Sequence, residues 1–312
     1  MRLRLALVVA ALLAASQPSA AQTRLVIVSG LGGDPKYTQT FALLSASLAK
    51  AAKERGGLAD SAITWLGEAN AAMSPWYRGP SRRENIEGVL TQLSDRRDSD
   101  EQIILVLIGH GSGEGSETRI SLPGADLSAA DFARLLGRFG ARRVAFVNLT
   151  SASGDMLPVL AAPNRVVLTA TKSAFERNES QFARFFVDAF AKDGADTDKD
   201  TRVSLLEAFK YAEAETKRFY ETDGKLSTET AQIADEGRLA ARFFLTAGAA
   251  NAAATGRLAT LYQERSVLDD QIQALRAKKT SMTSDAYDNE LEVILLQLAR
   301  KSREIRQLER GS

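Results

Sequence analysis

The sequence predicts an α/β protein with an open, mostly parallel sheet, helices on both faces, and a C-terminal α-helical hairpin. Three observations carry this. Five short runs are almost continuously Val, Ile and Leu, which is how strands covered on both faces read. Amphipathic helical patterns lie between them, so strand and helix alternate along the chain. After about Gly248 the texture changes to a small-residue linker and then to heptad-like apolar spacing.

Taken in order, the chain begins MRLRLALVVAALLAASQPSAAQ, with Arg2 and Arg4, an apolar run from Leu5 to Ala15, and then Ser19 and Ala21. That is the layout of a secretory signal peptide, here expected at residues 1–21 and removed on export from a bacterial cytoplasm. The mature protein is expected in the periplasm or outside the cell. The α/β domain is expected at 22–248, with strands at 25–29, 63–66, 103–108, 144–148 and 166–170. Helical faces are formed by Phe41, Leu44 and Leu48, by Ile86, Val89, Leu90 and Leu93, and by Phe132, Leu135, Leu136 and Phe139. Ser128 and Asp131 have the spacing of a capping box for the third of these. Phe182, Phe185, Phe186 and Phe190 mark a fourth helix, and residues 204–220 a fifth.

Residues 249–257 read as the linker. Residues 258–312 read as a helical hairpin or short coiled coil, with Leu261, Leu268, Ile272 and Leu275 on one seam and Tyr287, Leu291, Ile294, Leu298, Ile305 and Leu308 on the other. Two outcomes fit this pattern: the hairpin folds back on its own domain, or it pairs with another chain to make a homo-oligomer.

Bulk composition removes several function classes. A chain of 312 residues with 45% apolar and 25% charged content buries a real core. Its formal net charge of +1 supplies no field for nucleic acid. Beyond the leader no segment approaches about 18 uninterrupted apolar residues, so no permanent membrane span is expected. The absence of cysteine excludes disulfides, zinc-thiolate sites and a cysteine nucleophile.

Two stretches suggest chemistry. His110, the only histidine, ends the run IILVLIG and precedes GSGEG, so it falls where a central strand meets its loop. Open α/β sheets place ligands and catalysts at that edge. Ser151 and Ser153 lie in SASG after the next strand, close enough in topology for Ser151 to meet His110. The same turn also reads as a hydroxyl-rich helix cap. The glycine-rich loop SGLGGDPKY does not match the dinucleotide-binding spacing and reads as a tight strand-to-helix turn.

The second stretch is ADTDKDTRVSLLEAF. Asp196, Asp198, Asp200, Ser204 and Glu207 occupy the liganding positions of an EF-hand loop, with the Arg202 carbonyl at the seventh position, so a calcium ion (Ca2+) is the candidate cofactor. Thr201 stands where the sharp turn calls for glycine. Ser204 and Glu207 equally make a capping box for the helix that follows, so both readings stay open.

The ordered set RLVIVSG, SRRENIEGVLTQL, IILVLIGHGS, DLSAADFARLL, VAFVNLTSASG and RVVLTATKS resembles the caspase-like peptidases, most closely the legumain branch, over roughly residues 24–220. The resemblance implies a histidine–cysteine dyad with a glycine amide in the oxyanion hole. Matched residue by residue, the histidine is His110, the glycine Gly111, and the cysteine position Ser151. Leu149 stands where the legumain branch carries an acidic pocket residue, and the loop at 30–37 offers Lys36 but no arginine. A serine without an orienting carboxylate for its histidine is a poor nucleophile. The resemblance therefore implies a catalytically impaired homologue that binds a peptide or protein. The alternatives are a hydrolase using Ser151 with His110, and a calcium-stiffened scaffold that assembles through its C-terminal helices.

Overall fold

The computed structural model describes residues 23–68, 74–96, 101–197, 202–235, 239–246 and 278–310, together with scattered positions between 257 and 275. The expected leader at 1–21 and nearly all of the linker lie outside the described residues. The strands are β1 (Thr23–Ser29), β2 (Ile63–Gly67), β3 (Tyr77–Pro80), β4 (Gln102–Ile108), β8 (Val144–Asn148), β9 (Arg165–Thr169) and β10 (Gln232–Ala234). They form one seven-stranded sheet in the order β10-β9-β8-β4-β1-β2-β3. Every neighbouring pair is parallel except β10 with β9. Three two-residue strands, β5 (Gly111–Ser112), β6 (Arg119–Ile120) and β7 (Leu127–Ser128), make a small antiparallel sheet directly after β4.

Alternate residues of each central strand feed different cores, because successive side chains point to opposite faces. Ile27, Ile104, Val106 and Val147 pack under helices α1 (Pro35–Glu54), α5 (Gln181–Ala191) and α6 (Leu205–Thr222). Val28, Leu105, Leu107 and Phe146 pack under α2 (Arg83–Ser94), α3 (Ala129–Gly137) and α4 (Met156–Leu160). All seven residues of β4 are buried, which explains why its sequence shows no polar alternation.

The capping box expected at α3 is present. Ser128 Oγ accepts from the Asp131 N–H, and Asp131 Oδ2 accepts from the Ser128 N–H. Arg83 donates to the same carboxylate at 2.8 Å. The guanidinium, followed by the Ser128 donors, holds the Asp131 carboxyl well below the usual carboxylate range despite partial burial. Asp131→Ala is expected to cost about 1–2 kcal/mol at neutral pH. A depressed folded-state value makes this contribution complete above the unfolded value near 4 and loses it as the pH falls further. Urea melts of the two proteins should therefore converge as the pH is lowered from about 5 towards 2.

In the C-terminal region the described residues from 257 to 275 are helical, and α7 spans Ser284–Arg310. Leu268, Ile272 and Leu275 pack against Tyr287 and Ile294, so the two segments meet along the seams visible in the sequence. Lys301 pairs with Glu264 at 2.7 Å and Arg257 with Glu304 at 3.0 Å, fixing the register of one segment against the other. No helix among the described residues is long and apolar enough to cross a membrane.

Candidate functional site

Strand order places the site. After β1 the chain continues to β2 and β3 on one side, whereas β4 and β8 lie on the other, so the loops after β1 and β4 diverge and leave a crevice at their carboxyl ends. His110 sits in that crevice, half-buried. Its ring meets the edges or faces of two aromatics from α1: Tyr37, with centroids 4.6 Å apart, and Phe41, at 5.0 Å, both nearly perpendicular. The start of α1 is fixed by Asp34, whose carboxylate accepts from the Lys36 N–H, and by Pro35 in the first turn. The aromatic box around the histidine is therefore set by the cap of α1.

Ser151 is 4% exposed, in the turn after β8. The turn is tied down on every side. The Thr150 N–H donates to Asn148 Oδ1, the Ala152 N–H donates to the Glu176 carbonyl at 2.8 Å, and Thr171 Oγ1 accepts from the Ser153 and Gly154 amides. Ala152 takes φ +51°, a left-handed conformation uncommon for a residue with a side chain. Ser153 is thus structural: its hydroxyl bonds Thr171 in the turn's floor. Gly154 is required because a Cβ there would fall 2.0 Å from the Lys172 carbonyl carbon.

The glycines beside His110 have a similar explanation. A Cβ on Gly111 would lie 2.1 Å from the Ser151 carbonyl oxygen, and one on Gly109 would press on Gly30 Cα at 3.2 Å. These positions let backbones approach, and the space next to Gly111 is filled by the serine turn. The Gly111 N–H donates to Ser151 Oγ at 3.3 Å. The structure therefore brings His110, Gly111 and Ser151 to one place.

What the arrangement lacks is equally specific. Among the described residues, no hydrogen bond joins His110 to Ser151 and no carboxylate bonds or pairs with the imidazole. Glu179, which shares their cleft, pairs with Lys36 at 3.3 Å. The cleft between Phe41, Leu149, Ala183 and the His110 and Ser151 side chains has a volume of about 20 Å³. One water-sized occupant fits in that enclosed space.

The wall opposite Ser151 is the start of α5, and a residue with no sequence signal holds it. Glu229 is 7% exposed and lies in the loop before β10. Its carboxylate accepts from the Gln181 N–H at 2.8 Å, the Phe182 N–H at 3.2 Å, the Ser180 hydroxyl at 2.7 Å and the Tyr220 hydroxyl at 3.1 Å. The next residue, Thr230, donates its N–H to the Glu176 carboxylate at 3.0 Å, and the Glu176 carbonyl is the group that holds Ala152. A lone Glu in a polar loop reads as solvated in sequence, and no residue pattern marks it as a buried carboxylate.

The EF-hand pattern lies elsewhere. Asp198 and Asp200 lie outside the described residues. Asp196 and Arg202 line a larger depression of about 290 Å³ beside Arg55 at the C-terminal end of α1, the end away from His110. Ser204 caps α6, and Glu207 completes the capping box. Glu207 Oε1 accepts from the Thr197 N–H and hydroxyl, and Oε2 from the Ser204 N–H and hydroxyl. Burial pushes the Glu207 carboxyl up, but these four donors together leave it below its ordinary value. Of the described positions of the pattern, Ser204 and Glu207 cap the helix.

The fold and site define an α/β protein with a histidine and a serine at the carboxyl edge of two adjacent parallel strands. No family model matches the chain, and no curated protein matches it. Among solved structures the chain is similar to protein GSU0716 from Geobacter sulfurreducens, at 13% identity and a TM-score of 0.49, over 72% of this chain and 99% of that one.

Proposed function

We propose that this chain is an exported caspase-like pseudopeptidase that binds a peptide or protein segment at the crevice beside His110 without cleaving it. The contact between the Gly111 N–H and Ser151 Oγ carries the reading. In the family that the sequence resembles, this amide polarises the substrate carbonyl; here the side chain at the nucleophile position occupies it. An oxyanion donor already engaged in the ground state offers little extra stabilisation to a developing charge. The histidine has no carboxylate among the described residues to fix its tautomer, which serine chemistry requires and thiol chemistry does not. Tyr37 and Phe41, set against the His110 ring, supply apolar surface at the crevice for a bound chain.

Two assays on the full chain test this. Fluorogenic peptides covering all residues at the scissile position should show no turnover, and a fluorophosphonate probe should leave the folded protein unlabelled. Labelling that disappears in Ser151→Ala would establish an active serine hydrolase instead. Peptides selected from a displayed library on the immobilised protein should lose at least about tenfold in affinity on Phe41→Ala, the loss of roughly 1.4 kcal/mol of binding.

A further inference from the structure

We propose that the outer face of α7 is a self-pairing surface, through which two copies of this chain join antiparallel about a two-fold axis at Leu296. The surface is independent of whatever the His110 crevice binds. The inner face of α7 is already used: Tyr287, Ile294 and Ile305 are buried in the hairpin. At 3.6 residues per turn the opposite face carries Asp285, Asn289, Glu292, Val293, Leu296, Arg300 and Arg303. All seven are exposed. Val293 is 55% exposed and Leu296 53%, so two large apolar side chains sit side by side in solvent at the middle of the helix.

Charge on this face is sorted by position. Asp285, Asp288 and Glu292 precede the apolar pair, and Arg300 and Arg303 follow it. Within one helix this sets like charges three and four residues apart, an arrangement that destabilises an isolated helix. The helix dipole accounts for acidic residues in the first turn and basic ones in the last, but its effect fades beyond those turns. Glu292 and Arg300 lie more than two turns inside α7. A second copy accounts for both the sorting and the apolar centre. With the axis at Leu296, that residue meets itself, Val293 faces Ala299, Glu292 faces Arg300, and Asn289 faces Arg303, with Asp285 and Asp288 close to the same basic end. Glu304, which would break the sorting, lies to the side of this face and pairs with Arg257 at 3.0 Å. Parallel pairing would set acid against acid, so the orientation follows from the charges. An interface of this kind is isologous, the commonest form of self-association.

Sedimentation equilibrium on the full chain tests the proposal. The expected result is a dimer that Leu296→Glu and Glu292→Arg each weaken by at least tenfold, and that the double exchange Glu292→Arg with Arg300→Glu restores. A chain that stays monomeric, or a double exchange no better than the single one, overturns it. These positions are exposed, so the variants leave the folded core intact. Because the chain has no cysteine, orientation is read separately. Leu296→Cys should cross-link two chains through a disulfide, while Asn289→Cys, about 21 Å from its own copy, should not. Efficient cross-linking at Asn289 would overturn the antiparallel arrangement.

Discussion

Ser151→Cys is expected to convert an inert cleft into one with measurable peptide turnover, at least about 10²-fold above the unmodified protein. The reasoning is chemical. A serine hydroxyl becomes a nucleophile only when a base removes its proton in the transition state, and that base must be held in one tautomer and orientation. The His110 ring is held by the Tyr37 and Phe41 rings, which fix its plane without accepting its proton. A thiol needs less, since a histidine nearby suffices to populate the thiolate near neutral pH. The substitution adds no volume beyond that of one sulfur and leaves the turn's anchors through Ala152, Ser153 and Gly154 in place. Fluorogenic peptides and the rate of alkylation by iodoacetamide report the outcome. A folded Ser151→Cys protein that alkylates at the rate of a free thiol and cleaves nothing would sink the idea of a disabled peptidase site.

Gly111→Ala should be strongly destabilising for a single added methyl. The added Cβ would sit 2.1 Å from the Ser151 carbonyl oxygen and 2.8 Å from Thr150 Oγ1. The first of these is backbone in a turn with four amide anchors, so neither neighbour yields cheaply. Overpacking of a rigid site costs typically 1–3 kcal/mol, and about 3 kcal/mol is expected here. For a domain of this size that corresponds to a Tm lower by roughly 6–12 °C. Gly88→Ala is the matched control, because it lies within α2 and its added methyl meets nothing within 4 Å. There the greater helix propensity of alanine should leave Tm unchanged or raise it slightly. Equal losses at the two positions would show that backbone approach at Gly111 is not what the glycine supplies.

The central strands were legible because burial on both faces leaves an unbroken apolar run; the expected 144–148 coincides with β8, and the expected 166–170 is displaced by one residue from β9. The edges were not. β3 reads YRGP, with a glycine, a proline and an exposed arginine, and β10 reads QIA, so neither has enough side chains facing a core to mark it. The two-residue strands after β4 carry no periodicity at all. The positions of His110 and Ser151 were legible for the same reason as the strands that end at them. Their surroundings were not, since Phe41 belongs to the apolar stripe of α1 and gives no sign that its ring also meets an imidazole. The glycines beside His110 are explained by chain packing, since each lets a neighbouring backbone approach closely. The C-terminal seams were plain in the heptads, while the ion pairs that set their register join residues some 40 positions apart.

The grip of Glu229 and Thr230 on the cleft has a mechanical result. One residue holds the start of α5; its neighbour holds Glu176, and through it the turn that carries Ser151. Two consecutive residues of a trans chain keep their Cα atoms 3.8 Å apart whatever the rest of the loop does. The two sides of the cleft are therefore strapped to a ruler one peptide long. Spreading them to admit a guest means tearing at least one strap away. Such an opening is a discrete event, not a gradual breathing, so a guest is selected by whether it fits the gauge already set.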